Sequence, residues 1–300
     1  EMVPAVRQEP LTEWIAGALT EDEFLRQTGW YTNWGFNFGL YRPIFGFARE
    51  HGIPLYALDT PRTVEGRFEM TRDGQVLPGT ERAAASEPDP AEEESRALTA
   101  KSLESMGLPA ALKGAVLERM FEDLYQARAD RQKDMAERAV KARELEGRRV
   151  VVVIGSGHIM FGIGLDRFVR SLSGQPTSSV VPVIVPKGRP SVTVTRSLAD
   201  YIVGVPAEDR PAYPTLGLAF KASPDDPSRL VVASKPRDGS ALGGDFEEGD
   251  VVLSVDGRSF SDVDSLLIHL SKMPWGGEVH FRLRRAGVER TVVLRLSFRN

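Results

Sequence analysis

The residues best suited to chemistry lie in a glycine-rich loop directly after the most apolar run of the chain. Val150–Ile154 is β-branched throughout, and Gly155, Ser156, Gly157 and His158 follow it. In open α/β sheets, ligands bind beyond the carboxyl ends of the strands, which is where this loop is expected to fall. The imidazole of His158 could be a metal ligand, a haem ligand or an acid–base group, or it could cap the loop structurally. The residues leave both alternatives open.

Two phosphate-binding motifs do not fit this loop. A dinucleotide fingerprint needs glycine where the chain has Met160, and an acid about 20 residues later, where residues 176–180 contain none. A P-loop ends in Gly-Lys-Ser/Thr, and no lysine follows before Lys187. The apolar neighbours Phe161 and Ile163 favour a haem edge or an apolar substrate over a hydrated magnesium ion.

A long helix is predicted immediately before the apolar strand, over residues 110–146. Arg128 and Arg131 lie on its apolar stripe, where an unpaired charge would be costly. Each arginine therefore needs an anion. One alternative is an internal ion pair, for instance with Asp134 or Glu144, and the other is a ligand carboxylate or phosphate.

The elements around the loop predict an α/β fold with a mostly parallel sheet flanked by helices. Further strands are expected at 53–58, 180–185 and 192–195, and a helix at 43–51. Aromatic residues concentrated in 28–47 are interpreted as core. Thr20 and Glu23 have capping-box spacing, and residues 79–94 are expected to form a solvated loop.

The composition restricts the class of protein. The 300 residues are enough for two domains, and no apolar run reaches the length of a membrane span. The net charge of −4 argues against nucleic acid as a partner, and the absence of cysteine excludes thiolate chemistry. Because the chain starts at Glu1 rather than Met, we expect a processed or truncated product whose signal peptide or lipid anchor is not visible.

Several segments together resemble the ChaN-like haem-binding family of the Tiki/erythromycin-esterase-like superfamily. The resemblance covers residues 1–205 and is carried by eight segments in order, together with the start of the chain: 19–24, 28–30, 34–36, 41–44, 48–54, 134–136, 155–158 and 199–201. It implies a polar site made from a Glu-x-His motif on a first strand, an acid on the second strand and a late Gly-x-x-His. Glu1 matches that acid, and Gly155 with His158 matches the late motif. The first-strand motif would lie before Glu1.

The same resemblance implies a haem- or iron-binding protein of the bacterial periplasm or outer membrane, typically a lipoprotein of iron uptake. Its candidate haem or metal ligands are His158, Glu1, Tyr41 and Tyr31, and Arg131 would hold a propionate. A homodimer sharing the haem is a further expectation. The alternative from the same superfamily is a hydrolase or peptidase, with a divalent metal held by His158 and Glu1 that activates water.

Residues 214–300, after a proline-containing linker at 206–213, resemble a bacterial PDZ domain. The segments that match are 216–220, 232–241, 249–252, 255–257, a helix at 263–270 and a hairpin at 279–296. This implies a small β-barrel or sandwich with one main helix. A partner's C-terminal peptide would add as a strand, its carboxylate bound by backbone N–H groups. The residues implied in peptide binding are Leu216, Gly217, Leu218, Ala219 and Phe220.

Two further expectations concern this second part. Leu266 or Leu267 would shape the peptide pocket, and His269 is expected at the surface. A third hypothesis for the whole chain is a pure interaction protein, in which only the PDZ module works.

Overall fold

A computed structural model describes residues 1–59, 69–70, 76–77, 92–105, 115–208, 211–214, 217–234 and 245–296. The helices are α1 Gln8–Ile15, α2 Glu21–Thr28, α3 Trp30–Asn33, α4 Arg42–Glu50, α5 Glu92–Ser105, α6 Ala115–Glu146, α7 Leu165–Ser173 and α8 Val263–Ser271. The strands are β1 Glu69–Met70, β2 Val76–Leu77, β3 Val180–Val185, β4 Tyr201–Pro206, β5 Ala219–Ala222, β6 Leu230–Ser234, β7 Val251–Val255, β8 Glu278–Arg285 and β9 Val288–Arg295. The loop predicted at 79–94 lies outside these ranges up to Glu92, where α5 begins.

The described chain forms two compact units, and each is built from two separate stretches. Glu1–Val6 and Tyr56–Ala207 make the first unit, and Arg7–Leu55 and Glu208–Asn300 make the second. The sequence-based boundaries at 205 and 214 remain predictions. The N-terminal helices α1–α4 thus belong to the same unit as the C-terminal sheet, and α2 and α3 contact α8.

The first unit combines helices with a short parallel sheet, which confirms the predicted α/β class. The helices α6 and α7 pack on each other around a core of Leu58, Met135, Ala136, Ala139, Leu165 and Phe168. Strands β3 and β4 pair in parallel, with Val180 opposite Tyr201. In the described ranges this sheet has two strands. None of the helices there has both the length and the apolarity that a bilayer crossing requires.

The strands predicted at 53–58, 150–154 and 192–195 are not found as strands. Val151 is 87% exposed, so the run is not buried on both faces, although Val152 and Ile154 pack against the α6–α7 core. Composition gives such a segment its apolar character. A strand also needs a hydrogen-bonded neighbour, which local sequence does not specify.

The C-terminal part of the second unit is an antiparallel sheet in the order β5-β6-β7-β8-β9, as the PDZ resemblance implies. Strands β8 and β9 form the longest ladder, in which Phe281 lies opposite Val292. The core includes Val255, Phe281 and Leu283 from the strands. Strand β5 pairs with β6 and stands at one edge of the sheet.

The helices α1–α4 of this unit enclose an aromatic core, as predicted. Phe24, Trp30 and Phe38 are almost fully buried, and the rings of Trp30 and Phe38 meet edge to face at 5.0 Å. The predicted capping box starts α2: the hydroxyl of Thr20 accepts from the N–H of Glu23, whose carboxylate accepts from the N–H of Thr20. The aromatic residues of 28–47 therefore largely serve packing.

Candidate functional site

His158 and Glu1 meet at the start of the glycine-rich loop. The Nε2 atom of His158 lies 3.2 Å from Oε1 of Glu1. The N–H of Gly155 donates to the other carboxylate oxygen at 2.6 Å. The Glu1 side chain is 8% exposed, so these two contacts hold a nearly buried carboxylate against the loop.

Arg131 links this carboxylate to a second one. Its Nη2 donates to Glu1 at 3.3 Å, and its Nε donates to Oδ1 of Asp59 at 2.7 Å. The internal ion pair is thus the alternative found, with partners distant in sequence rather than one turn along the helix. Arg128 donates to the carbonyl of Gly157. The two arginines of the α6 stripe therefore brace the loop, while the contact of Arg131 with a propionate stays a prediction.

The electrostatics of the cluster keep Glu1 ionised. Burial by itself raises the pKa of Glu1, but the hydrogen bonds from His158 and Gly155 and the charge of Arg131 outweigh it and lower the pKa to about 2. A carboxylate is an acceptor only, so Nε2 of His158 carries the proton. In the neutral ring the lone pair then lies on Nδ1, a buried atom that has no hydrogen-bond partner among the described residues.

The loop reaches its shape through backbone that only glycine adopts easily. Gly164 has φ +94°, and a Cβ there would lie 2.5 Å from the carbonyl oxygen of His158 and 2.9 Å from Oε1 of Gln132. Phe161 also has positive φ, at 65°. Residues in such regions store strain and concentrate at functional sites.

Two members of the site escaped the sequence analysis. Asp59 follows the run 53–58 directly, and the end of a predicted strand was the one signal that pointed to it. Gln132 lies beside Arg131 on α6 and is 2% exposed, and in the part of the chain that the structure describes its buried Nε2 has no hydrogen-bond partner. No pattern in the sequence marks Gln132 as part of the site.

The number and kind of side chains that could bind a metal ion indicate which cofactor these residues suit. In the ranges that the structure covers, no three His, Asp or Glu side chains converge as metal ligands. Glu1 and Asp59 are both engaged by Arg131, which leaves a hard divalent ion without a charged cage. A haem iron needs one or two axial donors. His158 offers one free imidazole nitrogen with a carboxylate behind the ring, an arrangement that raises ligand basicity.

The two predicted tyrosine ligands belong to the other compact unit. Tyr31 is 4% exposed, and its hydroxyl accepts from the N–H of Phe38 at 3.3 Å. Burial raises the pKa of Tyr31, which disfavours the phenolate that iron ligation uses. Tyr41 packs edgewise on Trp30 at 5.4 Å. The structure brings together Glu1, Arg131 and His158 but does not place the tyrosines in their unit.

A second candidate site is the edge of the C-terminal sheet. Ala219 and Phe220 begin the edge strand β5, and Gly217 before them has φ +64°. Leu218 is half-buried against the sheet core. Helix α8 contacts β5, so an edge that no described strand pairs with lies beside a helix, the arrangement that strand addition uses. Leu216 lies outside the described residues.

Two expectations concern α8. Leu266 is fully buried in the sheet core and Leu267 is half-buried at its margin, and the role of either one in shaping the peptide pocket stays a prediction. The surface position expected for His269 is wrong: its side chain is 15% exposed and its Nε2 lies 2.9 Å from Asp256. Asp256 is 13 residues away, beyond the reach of a helical pattern.

Solved structures similar to this chain share its C-terminal part. The HtrA-type protease AlgW with a tripeptide is 25% identical over 29% of this chain and 32% of that chain, with a TM-score of 0.27. An aminopeptidase N family protein from Idiomarina loihiensis is 24% identical over 30% and 15%, with a TM-score of 0.24. The PDZ domain of EpsC from Vibrio cholerae is 17% identical over 28% and 78%, with a TM-score of 0.19. The chain thus spans about a third of the length of the HtrA-type protease.

Family comparison covers both parts of the chain. No curated protein matches it. The PDZ domain family matches residues 214–296. The haem-binding uptake family of the Tiki superfamily, ChaN, matches residues 1–169, which is more than half of the chain and includes Glu1, Arg131 and the His158 loop. The chain therefore belongs to the ChaN haem-binding uptake family and carries a PDZ domain after it.

Proposed function

We propose that this protein binds haem through His158 and recruits a partner through its PDZ domain. The observation that carries the haem proposal is the His158–Glu1 pair. The carboxylate fixes the proton on Nε2, so Nδ1 keeps the lone pair that would bind iron. If haem binds, it would supply an iron centre, and His158 would hold that iron through Nδ1. Arg131 and Gly155 act on Glu1, so they position the imidazole rather than touch the iron.

Entry of a macrocycle requires movement of the loop, because Nδ1 is buried. The loop contains four glycines between 155 and 164, and Phe161 is held at positive φ within it. The proposal therefore includes a loop that opens to expose Nδ1.

The location and partners that we propose follow from the family. A haem-uptake protein works in the bacterial envelope, as a periplasmic protein or an outer-membrane lipoprotein. The open edge of β5 beside α8 supports docking of a partner's C-terminal peptide. A homodimer that shares haem stays a prediction.

A haemin titration of the full reading frame, followed by Soret absorbance, tests the haem proposal. We expect a saturable, shifted Soret band in the wild type and a weaker, altered band in His158→Ala. His51→Ala is the matched control, because His51 is an exposed histidine that stacks on Phe47. Its titration should equal that of the wild type.

Either of two results would contradict the haem proposal. Absence of saturable binding would leave two hypotheses, a divalent-metal hydrolase or peptidase and an interaction protein that works through its PDZ domain alone. An unchanged Soret band in His158→Ala would place the iron elsewhere.

Peptide docking is tested separately with an array of decapeptides that end in an apolar residue. We expect members with a free carboxylate to bind and the same peptides with an amidated end to fail, since backbone N–H groups bind the carboxylate. Equal binding of both sets would reject the PDZ mode of recognition.

A further inference from the structure

The N-terminal helices hold the helix that borders the peptide site. Within the second unit, α8 contacts α2 and α3 in addition to β5. These helices lie in the part of the chain matched by the haem-uptake family, residues 1–169. Their contacts with α8 occur at both of its ends.

At the start of α8, Asp264 caps α3 from a distant part of the chain. Its Oδ1 accepts from the N–H of Tyr31 at 2.9 Å and from the N–H of Thr32 at 3.1 Å. The hydroxyl of Thr32 donates to the other carboxylate oxygen. The N-cap residue of α3 itself is Gly29, which offers no side chain. Asp264 therefore satisfies the first N–H groups of α3.

At the end of α8, two more contacts come from the same stretch. The amide of Asn37 donates to the carbonyl of Ser271 at 3.0 Å, one of the last carbonyls that a helix leaves unpaired. The ammonium of Lys272, the residue after the helix, lies 2.7 Å from both oxygens of Asp22. Helix α8 is thus fastened at each end to residues 7–55.

The fastened face of α8 lies next to the face that packs on the sheet core. Asp264, Ile268 and Ser271 follow the spacing i, i+4, i+7 and share one side of the helix. Val263 and Leu267, about 100° round the axis, are half-buried and pack against the sheet core. Ile268, between Asp264 and Ser271 on the fastened side, is 4% exposed.

We propose that residues 7–55 form part of the peptide-binding unit and set its affinity. Docking through Asp264, Asn37 and Asp22 fixes α8 at the distance from β5 that an added strand requires. Peptide binding and helix docking then stabilise each other, because linkage between two equilibria is reciprocal. The gain comes from preorganisation, without contact between peptide and the stretch. This inference rests on the proposed binding of C-terminal peptides.

The test uses the full chain and the tightest binder from the decapeptide array, labelled with fluorescein. We expect Asp264→Ala to raise the peptide Kd about 5- to 20-fold. Asp22→Ala changes only the docked stretch and should raise the Kd in the same direction. Glu248→Ala removes an exposed acid of the same unit and should leave the Kd unchanged.

A second readout uses the wild type and needs no variant. Saturating peptide should slow hydrogen exchange of the Tyr31 and Thr32 amides, because these N–H groups donate hydrogen bonds to Asp264. A purely local role of Asp264 in the groove would not slow them.

The outcomes separate this inference from the function on which it rests. Peptide binding by the wild type with unchanged Kd in Asp264→Ala and Asp22→Ala, or with unchanged exchange at Tyr31 and Thr32, overturns the coupling alone. If the wild type binds no member of the array, the peptide-binding function and the coupling both fail.

Discussion

At the scale of single residues, the site is a chain of alternating charges. Asp59, Arg131 and Glu1 follow one another and end at the imidazole of His158. Each buried charge lies beside an opposite charge, which offsets part of the free-energy cost of its burial. At the end of this row of charges, Nδ1 is the imidazole nitrogen that does not contact Glu1. The charges of the cluster therefore act on the basicity of this one nitrogen.

Glu1→Gln should remove a pH-dependent part of the stability of the first unit. The pKa of Glu1 is lowered from 4.5 to about 2, so its stabilisation is complete above pH 4.5 and is lost as the pH falls towards 2. We expect the wild type to exceed the variant by about 1–3 kcal/mol at pH 7 and to equal it near pH 2. Hydrogen exchange of α6 amides, corrected for the intrinsic pH effect, measures this difference.

The control for Glu1 is Glu137→Gln. Glu137 lies on the same unit, and its side chain is 53% exposed beside Lys133. Its stability should follow the wild type at every pH. A constant gap between wild type and Glu1→Gln from pH 7 to pH 2 would refute the role given to ionised Glu1.

At the scale of elements, the loop between the apolar run and α7 determines where His158 lies. Its conformation depends on Gly164, where a side chain would collide with the carbonyl of His158 itself. The backbone conformation of the loop and the position of the imidazole are therefore coupled. A change in the backbone at one end is expected to move the ring at the other.

Gly164→Ala should weaken both the fold and haem binding. The added Cβ meets backbone at 2.5 Å and the conformation is itself strained, so we expect a loss of about 2–4 kcal/mol and a weaker Soret response. Gly174→Ala is the matched control: its φ is +64°, but no atom lies within 4 Å of the added Cβ. It should cost about 1 kcal/mol and leave haemin affinity unchanged. Equal haemin affinity in both variants would exclude this coupling.

Local patterns in the sequence predicted the elements that depend on neighbours in the chain. The capping box of Thr20 and the helices α4, α6 and α8 follow such rules. The failures depend on distant partners. The run 150–154 has strand composition, yet pairing is non-local, and His269 has helix-surface spacing, yet Asp256 binds it from another segment.

The candidate site shows the same division. The glycine-rich loop after the apolar run pointed to His158, the apolar stripe of the long helix pointed to Arg131, and the resemblance pointed to Glu1. No pattern could show that Arg131 reaches Asp59, 72 residues earlier in the chain. Gln132 became visible only through its burial.

At the scale of the whole molecule, the two compact units do not follow the order of the chain, because each is built from two separate stretches. Residues 7–55 belong by contacts with the C-terminal sheet, although the haem-uptake family match includes them. We therefore expect stability to be shared between α1–α4 and the sheet. This has a direct test in local unfolding.

Leu266→Ala should lower hydrogen-exchange protection in α2 as well as in β8, because Leu266 is fully buried in the core that α8 shares with the sheet. The loss expected for such a cavity is about 2–5 kcal/mol. Met135→Ala is the reciprocal variant, since Met135 is fully buried in the first unit. It should lower protection in α6 and α7 but not in α2. If α2 loses protection in Met135→Ala and keeps it in Leu266→Ala, the assignment of α2 to the second unit is wrong.

The bond between Tyr31 and Asp264 joins residues 233 positions apart, and this has a consequence during synthesis. At about 5–20 residues per second, a ribosome needs roughly ten to fifty seconds to make the intervening chain. Through that interval, α2 and α3 lack the contacts that they make with α8 in the finished chain. Nascent chains halted before residue 263 should therefore bind holdase chaperones through residues 7–55, and chains that have released α8 should not.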